Sequence, residues 1–576
     1  MSEQRILEFK PADARATALV KRFRTLQHQR STWEEHWQQI ADYIVPRKAD
    51  VVKSRSPGDK RQELVFDGTA IHAAELMAAS LHGMLTNASV PWFSLRFIGA
   101  EMNEEDEAKE WLESVEEMMY VYMARSNFQE QVHELYSDLV TFGTACMFVD
   151  ADENDEGLRF STRHIAECYL SEDPRGRVDT VFRKYKVTAR SAETMFGHEN
   201  LTRRMAKIAK EDPYEEIELL HIVMPRNERD PGKNDATNKP FASVHVDPDE
   251  KVILGESGYD EFPYMVPRYL KASFERGYGR SPSMTALADT KMVNKMAEVE
   301  IRASQLQIHP PLQVPDDGFV LPVRTTPGGL NFYRSGTRDR IEPLNIGANN
   351  PISQQQQEIR RQMIRAAFYV DQLLLGQGPT MTATEVIQRT EEKMRLLGPV
   401  LGRLQAELLQ PLINRVYNLL VRQKAFAPAP DLLANQSIEI EYVSPLAKAQ
   451  RGGDINSVVQ IMEFMGPLLQ IDPSVADFLD IDGIARHVIK VTGLPATAVR
   501  GQAEIMELRE QRAQMQAQQA QMQQMAMMAE SAGAAAPGLR AVDDTNVGQQ
   551  LINAAQGAPQ EAGTEDLPAV EELAAE

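Results

Sequence analysis

The stretch from 278 to 370 constrains the fold most, because two helical patterns there enclose a segment rich in proline, glycine and short alternating runs. The first helix is expected from Ser281 to about Gln307. Ser281 precedes Pro282, so the serine can cap and the proline can take the first helical position. Met284, Leu287, Lys291, Val293, Met296, Ile301 and Leu306 then recur at roughly helical spacing. His309-Pro310-Pro311 ends the helix, since proline lacks the N–H and clashes with the preceding turn. Leu312 to Val314, Phe319 to Val323 and Leu330 to Tyr333 read as short strands. Asp317-Gly318 and Pro327-Gly328-Gly329 lie between them as tight turns. Helix resumes after Asn350-Pro351 with Ile352, Ile359, Met363, Ile364, Ala367, Phe368 and Val370, and breaks at Gly376-Gln377-Gly378-Pro379. Such a pair with a distal β tip suits a ring subunit that sets its helices against those of its neighbours. A helical hairpin with a decorated loop satisfies the same pattern.

Composition bounds the rest. A chain of 576 residues with 43% apolar content can form several domains with sizeable cores. Basic residues number 62 and acidic residues 83, a net charge of −21, so bulk charge does not favour nucleic acid and any DNA contact must be local or weak. Cys146 and Cys168 make neither a disulfide framework nor a metal-site spacing. Met1 to Lys10 is polar, unlike a secretory signal, and no apolar run reaches membrane-spanning length. These features lead us to expect a soluble protein made in a reducing cytoplasm, with no membrane partner.

Residues 11 to 45 read as a helix with Leu19, Phe23, Leu26, Trp33, Trp37, Ile40 and Ile44 on one stripe. The basic stretch Arg47 to Arg61 reads as a mobile loop. Phe66-Asp67-Gly68-Thr69-Ala70 opens a second helix, with Asp67 or Thr69 as cap. A strand at Pro91 to Leu95 and helices at about 103 to 124 and 127 to 142 follow. Strands are expected at 144–150, 157–163, 167–171, 178–187, 215–225, 241–247, 251–255 and 265–272, with a helix around 190–209. This is α+β with an antiparallel sheet of hairpins. Helix then dominates, with Thr382 to Leu397, Val400 to Lys424 kinked at Pro411, a strand at Ile438 to Val443, and short helices from Asp454 to Val499. Leu508, Met515 and Met522 recur every seven residues in a Gln- and Met-rich helix. Small residues, proline and acids from Ser531 onward imply disorder.

Enzymatic signatures are missing. The chain has no phosphate loop; Gly277-Tyr278-Gly279 leads into Arg280-Ser281-Pro282, a turn into a helix. It has no His-Glu-x-x-His pair. Asp150-Ala-Asp152-Glu-Asn154 starts like a calcium loop, but Asp155 and Ser161 stand where Gly and Glu are needed, so a hairpin turn fits better. Asp480 and Asp482 read as turn residues, and His221 and His245 as sheet residues. No enzyme, no cofactor and no metal is expected, although scattered carboxylates could in principle build a nuclease site.

Read as a whole, the chain resembles the head-to-tail connector, or portal, proteins of short-tailed (podovirus-type) phages. The matching residues are Trp33 and Trp37, Phe66-Asp67-Gly68-Thr69-Ala70, Trp92-Phe93-Ser94-Leu95 and Phe142-Gly143-Thr144. Further on they are Tyr278-Gly279-Arg280-Ser281-Pro282, His309-Pro310-Pro311 and Met381-Thr382-Ala383-Thr384-Glu385-Val386. The last are Leu397-Gly398-Pro399-Val400-Leu401-Gly402-Arg403-Leu404 and Ser444-Pro445-Leu446-Ala447. Their order and spacing over residues 30 to 450 carry the resemblance; the region after about 455 matches in character alone.

The resemblance implies a ring of twelve subunits at one capsid vertex of a virion, with double-stranded DNA passing through its channel in packaging and ejection. It implies partners in capsid and scaffolding proteins, the terminase large subunit and a tail adaptor protein. The implied fold is α+β and mainly helical. It has an α+β wing (1–277 and 384–450), a two-helix stem (278–307 and 351–370), a small β-containing clip (308–350), a channel loop (371–383) and a helical crown (451–502). Residues 503–530 would form a helix able to join a barrel, and 531–576 a disordered tail. The loop tip Gln377, Gly378, Pro379, Thr380, Met381 and Thr382 would line the channel, and Arg324, Arg338 and Arg340 of the clip would meet the motor or tail. Lys291, Lys295, Arg302, Arg360, Arg361 and Arg365 could face DNA, pair between subunits, or be solvated or paired charge. An uncharged loop in an acidic chain suits a channel that must not grip phosphates. The alternatives are another virion structural protein, such as a tail adaptor, and a DNA-packaging enzyme.

Overall fold

The computed structural model describes residues 13–97 except 54, 57 and 90, and residues 106–313 except 153–156 and 234. It also describes 330, 332, 342–343, 351–373, 397–430, 438–441, 461, 483–485, 488 and 502–535. The chain divides into two units, Met1–Ala496 and Thr497–Glu576.

Helix α1 (Ala14–Tyr43) begins where the Asp13 carboxylate accepts the Arg15 N–H at 2.8 Å. Ala16, Leu19, Val20 and Phe23 of its first half pack on a five-stranded sheet; Trp37, Ile40 and Ile44 of its second half enter the main core. The basic stretch after it is pinned, contrary to the expected mobile loop. The Gln38 amide oxygen accepts the N–H groups of Val51, Val52 and Lys53 at 3.2, 2.9 and 3.2 Å, and Lys48 reaches Asp138 at 2.6 Å. One buried glutamine thus satisfies three backbone donors that composition alone leaves open.

Helix α2 (Thr69–Leu85), strand β1 (Ser94–Phe97), α3 (Asp106–Arg125) and α4 (Phe128–Phe142) follow. The strands are β2 (Cys146–Asp152), β3 (Gly157–Arg163), β4 (Cys168–Glu172), β5 (Val178–Thr188), β6 (Glu216–Pro225), β7 (Phe241–Asp247), β8 (Val252–Tyr259) and β9 (Tyr264–Met265). They form two antiparallel sheets, β3-β2-β9 and β4-β5-β6-β7-β8. The helix expected over 190–209 is two, α5 (Ala189–Phe196) and α6 (Arg203–Glu211). Gly197 at φ 78° stops the first, and the Thr202 hydroxyl caps the second. The strand expected over 265–272 shrinks to β9, because Pro263 and Pro267 offer only carbonyls, to Val149 and Ala145.

Helix α7 (Pro282–Ile308) and helix α8 (Pro351–Ala367) pack side by side. Between them, β10 (Leu312–Gln313) pairs antiparallel with β11 (Glu342–Pro343). The strands expected at Phe319 to Val323 and Leu330 to Tyr333 lie mostly outside the described residues. Tyr369, at φ 55°, separates α8 from the short helix α9 (Val370–Leu373). From 397 to 422 the chain is helical, with a π turn at Gln405–Leu409 leading into α10 (Gln410–Arg422). Pro411, where a kink is expected, stands in the first turn of α10 directly after this π turn, whose five-residue spacing accommodates the missing proline donor. Strand β12 (Ile438–Glu441) pairs antiparallel with β1, Ser94 opposite Glu441, a pairing no local pattern announces.

In the second unit, helix α11 (Gln502–Ala535) runs past Ser531 into the segment expected to be disordered, carried by Ala-rich sequence with high helix propensity. Met506, Met515, Met522, Met525 and Met527 are exposed.

Candidate functional site

Three of the sequence motifs, Trp33 with Trp37, Phe142-Gly143-Thr144 and Tyr278 to Pro282, converge at the root of α7. Helix α4 ends on Gly143 at φ 76°, and the last carbonyls of a helix have no partner inside it. Three side chains supply them. Ser283 Oγ donates to the Val140 carbonyl at 2.9 Å, Ser281 Oγ to that of Thr141 at 2.7 Å, and Trp37 Nε1 to that of Phe142 at 3.1 Å. Ser281 Oγ also accepts the Met284 N–H at 3.0 Å, so one hydroxyl closes α4 and opens α7. The Gly279 N–H reaches Thr144 Oγ1 at 2.8 Å. The two backbones touch there: a Cβ on Gly279 would lie 2.6 Å from the Gly143 carbonyl oxygen, and a Cβ on Gly143 would lie 2.4 Å from that of Gly279. Tyr278 is buried with its ring centroid 5.1 Å from Trp37 and 5.9 Å from Trp33.

A second anchor fixes both long helices to α2. The Asp67 carboxylate accepts the Thr69 N–H at 2.9 Å and pairs with Arg361 of α8 at 2.9 Å. Asn294 of α7 accepts the N–H groups of Phe66 and Asp67 at 2.8 and 3.1 Å. Burial alone would raise the Asp67 pKa. The hydrogen bonds from Thr69 and the Arg361 guanidinium outweigh it and hold the carboxyl below its ordinary range.

The six basic residues of the pair all have partners within the chain. Lys291 donates to Gln39 at 2.6 Å and lies 5.9 Å from the centre of the Tyr43 ring. Lys295 and Arg302 flank Glu298 at 3.0 and 2.5 Å. Arg360 pairs with Asp289 at 2.8 Å, and Arg361 and Arg365 approach Glu358 at 3.7 and 3.6 Å. Exposed pairs of this kind add little stability, about 0–1 kcal/mol each, but they leave the helices close to neutral. Gln377, Gly378, Pro379, Thr380, Met381 and Thr382, and Arg324, Arg338 and Arg340, lie outside the described residues.

Three buried arginines, Arg30, Arg268 and Arg415, escaped the sequence reading. Arg30 donates to the carbonyls of Ile165, Ala166 and Cys168 and lies 3.5 Å from the Tyr169 ring centre. Arg268 donates through Nε and Nη2 to the two oxygens of Glu407, at 3.1 and 2.6 Å, and also pairs with Glu172. Glu407 sits in the π turn, so this ion cluster ties the C-terminal helical tract to the sheets. The available signal was a single charge inside an apolar helical run, Leu404 to Leu409. His221 and His245 are neighbouring sheet residues, their rings stacked at 4.2 Å. Burial holds His221 well below its ordinary pKa and His245 at about 4. Among the described residues no group of His, Cys, Asp and Glu is placed to hold a metal ion, and no helix is long and apolar enough to cross a membrane.

Residues 16–499 match the model of a family described as bacteriophage head to tail connecting proteins. A probable portal protein of Bordetella phage BPP-1 is 32% identical over 485 residues, which are 83% of this chain and 87% of that protein. The portal protein of Salmonella phage epsilon15 is 31% identical over 509 residues, 86% of this chain and 91% of that one. Among solved structures, a chain from the neck of an empty GTA particle overlaps 69% of this chain and 86% of its own length. At 12% identity and a TM-score of 0.33, that overlap is too loose to bear on the fold.

Proposed function

The chain belongs to the bacteriophage head to tail connecting proteins, and from that premise we propose that twelve copies close into a ring at one capsid vertex, through whose axis the double-stranded genome is packaged and ejected. The protein is a portal, the connector between head and tail. The observation that carries the ring is the surface of the helix pair α7–α8. Val299, Ile301, Leu306 and Ile308 of α7 and Met363 of α8 are 43–72% exposed on a single chain. Copies arranged about an axis would cover them, and closed symmetry leaves no such surface over. The pair thereby acts as the stem, 278–307 with 351–370, and the segment 308–350 as the clip. Arg324, Arg338 and Arg340 of the clip would meet the terminase large subunit and then the tail adaptor. The body would contact capsid and scaffolding proteins. The protein works as a conduit, without catalysis.

The six basic residues of the stem are held by partners in cis, which suits a channel that must let phosphates slide. The loop 371–383 lines the channel in this proposal, with Gln377 to Thr382 at the axis and the crown at 451–502. Light scattering and negative-stain images of the purified chain test the ring: closed rings with an axial channel are expected at micromolar concentration, and monomer alone would overturn it. Removing Gln377 to Thr380 should leave rings intact and impair packaging or DNA retention. Full-rate packaging with stable filled heads would show that these residues do not line the channel.

A further inference from the structure

The α7–α8 pair carries apolar side chains on two opposite flanks. Asp289 and Glu300 of α7 take Arg360 and Gln357 of α8, at 2.8 and 2.6 Å. Numbers rise along one helix as they fall along the other, so the helices are antiparallel, and these residues mark the line of contact. A helix turns by about 100° per residue, so Val299 and Ile301, on either side of Glu300, leave on opposite flanks. Met292, Val299 and Leu306 recur every seven residues on the first flank, and Ile301 and Ile308 at the same spacing on the second. In an antiparallel pair, residues that turn the same way from the contact line leave both helices on one flank. Ile359 and Met363 of α8, about 100° and about 60° back from Arg360, therefore share the flank of Val299.

The chain treats the two flanks differently. The first stays open from root to outer end: Met292, Val299, Leu306, Ile359 and Met363 are 37–55% exposed. The second is covered near the root by the start of α2. Asn294 accepts the Phe66 and Asp67 N–H groups, and Arg361 pairs with Asp67. Ile301 and Ile308 stand out beyond that cover, 44% and 72% exposed.

The spacing points to the occupant. A seven-residue repeat is the one at which a helix packs along another helix, and each flank of this pair offers it to the other. A two-fold dimer needs one strip that matches itself. Two unlike strips on opposite flanks suit a head-to-tail contact, which closes into a ring. We infer that Met292, Val299, Leu306, Ile359 and Met363 of one copy receive Ile301 and Ile308 of the next copy. This rests on the ring reading above and adds the sense of the contact, with one flank receiving and the other inserting.

Mixing variants of the full chain tests it. Val299→Gln with Met363→Gln spoils the receiving flank, and Ile301→Gln with Ile308→Gln the inserting one. These four side chains are 44–72% exposed, so both double variants should melt as wild type does. Mass photometry should show wild-type rings, and each variant alone should need at least about tenfold more protein to assemble. Mixed one to one, where neither assembles alone, the two should form a heterodimer and nothing larger, because the mixture holds one intact pair of strips. A mixture that stays monomeric while wild type forms rings would overturn the inference and leave the ring standing. Loss of association in the receiving-flank variant alone would mean that this strip meets its own kind, and would overturn it too. Wild type that stays monomeric would overturn the ring reading and this inference together.

Discussion

The two halves of α7 have the same helical backbone and opposite needs. In the root half, Ser283, Ala286, Leu287, Thr290, Val293, Asn294 and Ala297 are buried against α1, α2, α4 and α8 of the same chain. Polar groups there are spent on named partners: Ser281 and Ser283 donate to carbonyls of α4, and Asn294 accepts the Phe66 and Asp67 N–H groups at the entry to α2. Beyond Glu298, Val299, Ile301, Leu306 and Ile308 are exposed, and so is Met363 on α8. The root half of α7 is largely finished within the subunit, with Met292 its exposed large apolar side chain among the described residues, while the distal half presents Val299, Ile301, Leu306 and Ile308, which water will not stabilise. A rigidly seated root and an unfinished outer half are what a ring subunit requires, because the first sets the angle at which the second meets its neighbours.

The largest effect should come from spoiling the root. Gly143→Ala puts a Cβ against the Gly279 carbonyl carbon and oxygen, which are backbone and cannot rotate away, and forces alanine to φ 76°. We expect a loss of at least about 3 kcal/mol, from overpacking and left-handed strain together. Gly279→Ala should behave alike. Denaturant unfolding of either variant checks this, and a change below about 1 kcal/mol would show that the two backbones can part without cost.

Acid should separate the sheets from the root. Between about pH 6.5 and 4 the unfolded chain protonates its histidines while the native His245, with a pKa near 4, does not. The unfolded state then binds more protons, so stability falls as pH falls across that window, by about 3 kcal/mol for a shift of this size. His221 acts in the same direction. Asp67 titrates lower: its native carboxyl is held down, so its contribution is present above about pH 4 and is lost only as pH falls through the native pKa. Replacing both histidines with Gln or Asn should shrink the pH 6.5–4 limb of a stability curve to the part contributed by His36 and His133, whose pKa values burial also lowers, and leave the lower limb in place.

Asp67→Ala tests the second anchor with a smaller expected loss. It removes the acceptor for the Thr69 N–H and leaves Arg361, itself about one-third exposed, without its closer carboxylate. The N-cap position of α2 is Gly68, in place of the expected Asp67 or Thr69, so what is lost is the acceptor Asp67 offers to the Thr69 N–H just ahead of the helix; a loss of about 1–2 kcal/mol follows, with little added by an ion pair whose arginine is this exposed. Asp67→Asn keeps the acceptor and loses the charge, so it should recover most of that loss. An Asn variant as weak as the Ala variant would mean that the ion pair, not the acceptor, holds α2 to the stem.

Much of this was legible in the chain, because local chemistry fixes element ends. Ser281-Pro282 announced a capped start, and Gly143 suits the left-handed residue after α4. What local pattern could not supply was which ends meet. Gly279 and Gly143 are 136 positions apart and touch through backbone atoms, so nothing in either motif records the other. The same holds for β1 with β12, and for Arg268 with Glu407, which are 139 positions apart. The split between α5 and α6 was readable and was missed: Gly197 followed by Thr202 is a stop and a start. The segment after α1 was misread because its basic composition resembles solvated loop, whereas one buried side chain, Gln38, organises it.

The smallest effect on the fold should be the most telling for function. Leu306→Gln with Ile308→Gln alters side chains that are 43% and 72% exposed near the outer end of α7, and glutamine is nearly as good a helix former as leucine. The isolated subunit should unfold within about 0.5 kcal/mol of wild type. A neighbour that covers these residues would contribute about 1.5–3 kcal/mol for each one fully buried. The double variant should therefore raise the concentration needed for assembly at least about tenfold, since 1.4 kcal/mol is a factor of ten. Mass photometry across a dilution series measures this directly. Rings that persist to the same dilution as wild type would mean that the outer half of the pair meets something other than its own copies. A stability loss above about 1 kcal/mol in the monomer would mean that this end is finished within the chain after all, and the contrast between the two halves of α7 would fail.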